Sequence, residues 1–153
     1  MIRPFAIEDT NQLIELLEAN AHDAMAEGFA EYDVTRIIHM VKQFANMPNR
    51  EMLLAWRGTT LVGHAMISAH KKAWGNEMLG DIHLFFVHPE FRNGFVAKDL
   101  FDACYSWCRE RECHAMMATV QAWDKNYQPC DKWIENGQSF FDKTMMPTGT
   151  CYV

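Results

Sequence analysis

The stretch Ile82 to Glu110, IHLFFVHPEFRNGFVAKDLFDACYSWCRE, decides the architecture. Its first six residues, Ile82-His83-Leu84-Phe85-Phe86-Val87, are β-branched, aromatic and almost wholly apolar, the pattern of a strand covered on both faces. Pro89 stops the pairing because it has no N–H to give to a ladder. Beyond Arg92-Asn93-Gly94 the period changes. Val96, Ala97, Leu100, Phe101, Cys104, Trp107 and Cys108 recur at the spacing of one helix face. A strand therefore feeds a short polar turn that opens a helix. Such a helix start leaves backbone N–H groups unpaired and carries about half a positive charge, which suits an anion, most naturally phosphate. Arg92 stands beside it.

The rest of the chain falls into order around this unit. Ile2 to Ile7 reads as a short first strand, and Asp9-Thr10 can cap a helix from about Asn11 to His22, striped by Leu13, Ile14, Leu16 and Leu17. Gly28 interrupts the pattern. A second helix is predicted from about Asp33 to Asn46, with Val34, Ile37, Ile38, Val41 and Phe44 on one face and Met47-Pro48-Asn49 ending it. Glu51 to Arg57 and Thr60 to Ser68 form two strands around a Gly58-Thr59 hairpin turn. Lys71 to Gly80 reads as a connecting loop. After the central strand and its helix, His114 to Gln121 is a strand that a right-handed crossover lays parallel to Ile82–Val87. A short helix from Asn126 to about Asn136, ended by Gly137, and a hairpin around Pro147-Thr148-Gly149 complete the series.

Composition narrows the function classes. A chain of 153 residues is expected to form one domain, residues 1–153, with a substantial core. Its formal net charge of −6, from 14 basic and 20 acidic residues with no basic run, argues against nucleic acid. No run approaches the roughly 18 apolar residues of a membrane span, and Met1-Ile2-Arg3-Pro4-Phe5 lacks the order of a signal peptide. The expectation is a soluble, cytoplasmic protein with no membrane partner. Five cysteines, an odd number, point to reduced thiols. Cys104, Cys108, Cys113 and His114 resemble a metal cluster in spacing only, since Cys104 and Cys108 share the apolar helix face and no second Cys/His pair closes a four-ligand site. Metal is not expected.

The turn and its flanks resemble the GNAT superfamily of acyl-CoA-dependent N-acyltransferases, whose pyrophosphate loop runs Arg/Gln-x-x-Gly-x-Gly/Ala between a strand ending in Val and a helix. Val87-His88-Pro89-Glu90-Phe91-Arg92 fits that pattern, as do the Ile2-Arg3-Pro4 opening and the Val62-Gly63 step. The loop itself departs from it. Arg92-Asn93-Gly94-Phe95-Val96-Ala97 keeps the Arg and the final Ala but has Phe95 where the family has its middle Gly. Either the loop is re-shaped around Gly94, or its hold on pyrophosphate is weakened. The chain's compactness also resembles versions encoded by bacteriophages.

The resemblance implies an α/β (α+β) GNAT fold: a mixed, mostly antiparallel sheet of about six or seven strands with flanking helices and one splayed parallel pair. It implies acetyl-CoA as co-substrate and an amine acceptor, small molecule or protein, with self-association into a homodimer left open. The cofactor would lie along Phe86 and Val87, on Arg92, Asn93, Gly94, Phe95, Val96 and Ala97, and against Asn126, eleven residues before Gly137 as in the family pattern. Asn126 as a plain helix cap fits equally well. Variable segments of the family line the acceptor site, which brings in His22, Tyr32 and His39.

A lysine-like amine with pKa near 10.4 is only about 0.1% neutral near pH 7.4, so supplying the free base is worth roughly 4 kcal/mol. Many family members place a carboxylate on the central strand four residues before its terminal Val. Here His83 holds that place, with Asp81 two residues earlier on the same face. A histidine titrating near 6.5 suits a general base, though a hydrogen-bonded structural histidine is the other reading. The family's thiolate-protonating Tyr is replaced by Trp133, whose indole cannot act as an acid. Tyr127, Cys130 or Tyr152 can substitute for it. Phe95 and Trp133 together leave open a rival, a GNAT-shaped binding or interaction module without catalysis.

Overall fold

The computed structural model describes residues 1–26, 33–73, 75–92 and 94–118. Among these residues one sheet of five strands runs in the order β1 (Ile2–Pro4), β2 (Arg50–Arg57), β3 (Thr60–Lys71), β4 (Met78–Val87) and β5 (Cys113–Ala118). The first three pairings are antiparallel and β4–β5 is parallel, the mixed sheet that the crossover rule requires. The predicted strand continuation to Gln121, the helix after Asn126 and the final hairpin lie outside the described residues.

Two layers of helix cover this sheet. Helices α1 (Thr10–Ala26) and α2 (Val34–Ala45) pack on one face, where Leu13, Leu16, Leu17, Val41 and Phe44 meet Met52, Leu54, Met66 and Phe86. Helix α3 (Val96–Glu110) packs on the other, where Val96, Leu100, Phe101, Cys104 and Trp107 meet Leu53, Ala55, Ala65, Ile67, Ile82 and Val87. The near-continuous apolar run of β4 follows from this double cover. Cys104 and Cys108 are core residues whose thiols burial pushes up to about 12.

Local signals set the element ends. Asp33 caps α2 by accepting the N–H groups of Thr35 and Arg36 at 2.9 and 3.3 Å. β1 ends at Pro4, and a 3-10 turn, Ile7–Asp9, leads into α1. Two boundaries correct the reading from sequence. β3 continues to Lys71 and β4 begins at Met78, so the connecting segment is shorter than the expected loop. The reason is long-range: Ala69, His70 and Lys71 pair with Gly80, Leu79 and Met78, and cross-strand bonds hold polar residues extended that local propensity would leave free.

Three β-bulges shape the sheet. One lies at His83. In the β3–β4 ladder Met66 pairs with Leu84 and Ile67 with Ile82, leaving His83 without a partner of its own. Before this bulge Ile82 faces α3; after it Phe85 and Val87 do, while Leu84 and Phe86 turn to α1 and α2. The extra residue thus presents His83 on the α1–α2 face although Val87, four positions on, faces α3.

Candidate active site

The site begins at the end of β4. His88 gives its N–H to the carbonyl of Val62 at 2.9 Å, and Pro89–Phe91 then forms a 3-10 turn. Arg92 reaches back across this turn. Its Nε donates to the carbonyl of Val87 at 2.9 Å, and its guanidinium stands 5.4 Å from the centre of the Phe86 ring. The turn is therefore tied to the strand end from which it emerges.

Helix α3 opens directly after it. Its ladder starts with Asp99 N–H on the carbonyl of Phe95 at 2.8 Å, so the amides of Val96, Ala97 and Lys98 precede the first bond. Phe95 does not fill this opening. Its backbone is right-handed, φ −77° and ψ 2°, and its side chain is 75% exposed. Nor does the loop depend on a strained glycine, because a Cβ at Gly94 would have only the Phe91 carbonyl within 4 Å, at 3.9 Å. Of the two alternatives left by sequence, the geometry favours an open helix start in which Phe95 supplies a backbone group and turns its ring to water. Asn93 lies outside the described residues, as do Asn126, Tyr127, Trp133 and Tyr32.

On the α1–α2 face, the N-terminal half of β4 and the end of β3 bring together Ser68, His70, Asp81 and His83. Ser68 Oγ lies 2.6 Å from Nε2 of His83, and the His83 ring meets Phe44 of α2 edge-on, with centroids 5.6 Å apart. Arg50 of β2 lies over the other participant, 5.1 Å from the centre of the Phe44 ring. Loss of water on the packed side of the ring holds the His83 pKa below the usual histidine value, against the opposing charge of Asp81. A neutral imidazole at neutral pH is the outcome.

Asp81 is placed differently from its expected role. Its Oδ2 lies 3.3 Å from Nδ1 of His70, so its close partner is the histidine across the ladder, and it acts on His83 through space. Neither Ser68 nor His70 was singled out by sequence reasoning. The available signal was the alternation Ser68-Ala69-His70, which puts both polar residues on one strand face opposite Asp81 and His83.

A cleft of about 440 Å³ opens beside the strand end, between Leu16 and Ala19 of α1, Thr60, His88 and Phe91. Its rim carries Glu15 and Glu90. Of the residues considered as acceptor contacts, His39 lines a separate groove on α2 with Thr35, Met40 and Gln43, and His22 is exposed on α1.

The sequence profile of the Acetyltransferase (GNAT) family matches residues 11–130, and the chain belongs to that family. Solved structures share its fold at low identity. A ribosomal-protein-alanine N-acetyltransferase from Brucella melitensis biovar Abortus 2308 superposes with a TM-score of 0.75 at 18% identity, over 100% of this chain and 96% of that one. A transcriptional regulator from Bacillus halodurans C-125 gives 0.78 at 16%, over 100% and 96%. AAC(6')-Iy, solved with the bisubstrate analogue CoA-S-monomethyl-acetylneamine, gives 0.77 at 15%, over 100% and 95%. No protein of curated function matches the sequence significantly. Among the described residues no helix is long and apolar enough to cross a membrane.

Proposed function

We propose that this protein is an N-acetyltransferase that moves an acetyl group from acetyl-CoA to a primary amine, by direct attack while both are bound. The observation that carries the reading is the β4–turn–α3 unit in a chain of this family: a helix start with free amides, an arginine braced against the strand end, and a phenylalanine whose ring leaves the opening clear.

When bound, acetyl-CoA supplies the acyl group as an activated thioester. The first-turn amides of α3, from Val96 on, and Arg92 hold its pyrophosphate, with Phe86, Val87, Gly94, Phe95 and Ala97 forming the surrounding wall. Asn93 and Asn126 complete the proposed set from the sequence pattern. His83 takes a proton from the incoming ammonium, the step worth roughly 4 kcal/mol at neutral pH. Asp81 favours the imidazolium that results, and Tyr127 is the proposed proton source for the leaving thiol. The acceptor is an amine, either a small molecule or a protein lysine or N-terminus. The structural relatives include one of each kind, an enzyme named as a ribosomal-protein-alanine N-acetyltransferase and one solved with an acetylneamine bisubstrate analogue.

The test is calorimetric titration of the protein with acetyl-CoA, followed by thiol-release assays over a panel of amines. Micromolar binding with amine-dependent release of CoA supports the reading. Absence of binding at millimolar ligand overturns it.

A further inference from the structure

We infer that Ser68 is the residue through which His83 exchanges its proton, so that the base is a Ser68–His83 pair and not an isolated imidazole. The inference rests on the acetyltransferase reading and concerns residues which that reading leaves out.

The burial of the serine argues for one direction of the hydrogen bond. Ser68 is only 7% exposed, and His83 Nε2 is the partner of its hydroxyl among the described residues. A buried hydroxyl with one acceptor in reach donates to it, because an unpaired O–H loses about 1–3 kcal/mol. Nε2 is then the acceptor, and neutral His83 carries its own hydrogen on Nδ1.

This tautomer has a mechanistic consequence. The lone pair able to take a proton points at Ser68, whereas Nδ1 has none to offer. A proton from an ammonium bound against the exposed side of the pair therefore arrives at Ser68 Oγ as the serine hydrogen moves to Nε2. One N–H bond of the ammonium breaks and one O–H forms; the former O–H breaks and one N–H forms on the ring. Serine ends as a hydroxyl, the amine neutral and His83 as an imidazolium. The new Nε2–H then donates to Oγ, and the ring returns its proton to solvent afterwards.

The groups facing the pair come from four elements. Asp81 of β4 favours the imidazolium, His70 of β3 and Arg50 of β2 oppose it, and α2 contributes the uncharged ring of Phe44. The bulge lies beside the pair. Ser68 is opposite Asp81 in the ladder, and the extra residue at His83 stands close to it along β4.

The experiment has two readouts. Long-range ¹⁵N–¹H correlation spectra of the histidine rings at pH 8, with His83→Ala for assignment, should show His83 protonated on Nδ1, and Ser68→Ala should lose that preference. Turnover of Ser68→Ala should fall at least about tenfold with acetyl-CoA affinity unchanged, whereas Ser68→Thr, which keeps the hydroxyl, should stay within about threefold of the parent. An Nε2–H tautomer in the parent protein, or full activity of Ser68→Ala, overturns the relay. Full activity of His83→Ala would instead overturn His83 as base, so assaying Ser68→Ala beside His83→Ala tells the two failures apart.

Discussion

Arg3 and Asp9 meet fork to fork: Nη1 donates to Oδ2 and Nη2 to Oδ1, each at 2.6 Å. Asp9 Oδ2 also accepts the N–H of Ala6 at 2.8 Å, and the Arg3 guanidinium lies 4.8 Å from the centre of the Trp56 ring. One buried carboxylate thus joins β1, the start of α1 and β2. The Arg3 hydrogen bonds, chiefly, hold its pKa below the usual aspartate value. Asp9→Asn should destabilise the fold by about 2–3 kcal/mol, measured by urea denaturation at pH 7. The folded-state pKa is lowered, so the carboxylate's contribution is present above its ordinary value of 3.8 and is lost as pH falls through the folded value. An unchanged midpoint in the variant would show that the fork contributes nothing.

His64 presents the opposite case. It is fully buried between Leu54 and Phe86 in the sheet, and among the described residues neither ring nitrogen has a hydrogen-bond partner. Burial pushes its pKa down to about 4. Below its ordinary 6.5 the unfolded chain binds a proton that the folded chain refuses, so stability falls from pH 6.5 downward, by roughly 3 kcal/mol once pH 4 is reached. His64→Leu removes two unpaired buried nitrogens at similar volume. It should raise stability by about 1–3 kcal/mol at pH 7 and flatten the slope between pH 6.5 and 4. A destabilised variant would mean that the ring has partners in solution.

Gly80 is held by contact, not by conformation. A Cβ built there stands 2.2 Å from Sγ of Cys108 on α3. Gly80→Ala should therefore push α3 away from β4 and destabilise by about 1–3 kcal/mol. In the Cys108→Ala background the same change should cost less, and thermal unfolding of the double-mutant cycle measures the difference. Additive effects would place the strain elsewhere.

At the helix start, Arg92 and Phe95 are expected to separate cleanly. Arg92→Ala should weaken acetyl-CoA binding by about 1–3 kcal/mol, a loss of roughly fivefold to 150-fold in calorimetric titration. Phe95→Gly should change it by less than about threefold, since the ring is turned to water. A large gain on removing the ring would mean that Phe95 obstructs the phosphates after all.

His83→Ala should lower turnover at least about tenfold while sparing acetyl-CoA affinity. Burial holds the folded pKa below 6.5, and the base acts in its neutral form, so turnover should rise with pH through a midpoint below 6.5 and be flat on that limb above it. A midpoint above 6.5 would assign the limb to another group.

The sequence by itself determined the order of the described strands and helices, the strand buried on both faces, the parallel return to β5 and the turn that opens α3. Each is a local matter: period two against three and a half, a proline without its N–H, a short crossover with one handedness. Its reading of the polar face went less far. His83 and Asp81 were legible as strand residues of the same parity, but the partners that define their chemistry were not. Ser68 and His70 lie on another strand, Ser68 at the end expected from sequence and His70 in the extension beyond it that pairing with β4 holds extended. The bulge at His83 has no signature in the residues around it, because it exists only as a mismatch of count between β3 and β4. His64 looks like any strand residue until two helices close over it. Tertiary structure decided these points because hydrogen-bond direction, desolvation and strand register are relations between residues distant in the chain, fixed only once the sheet has chosen its pairing.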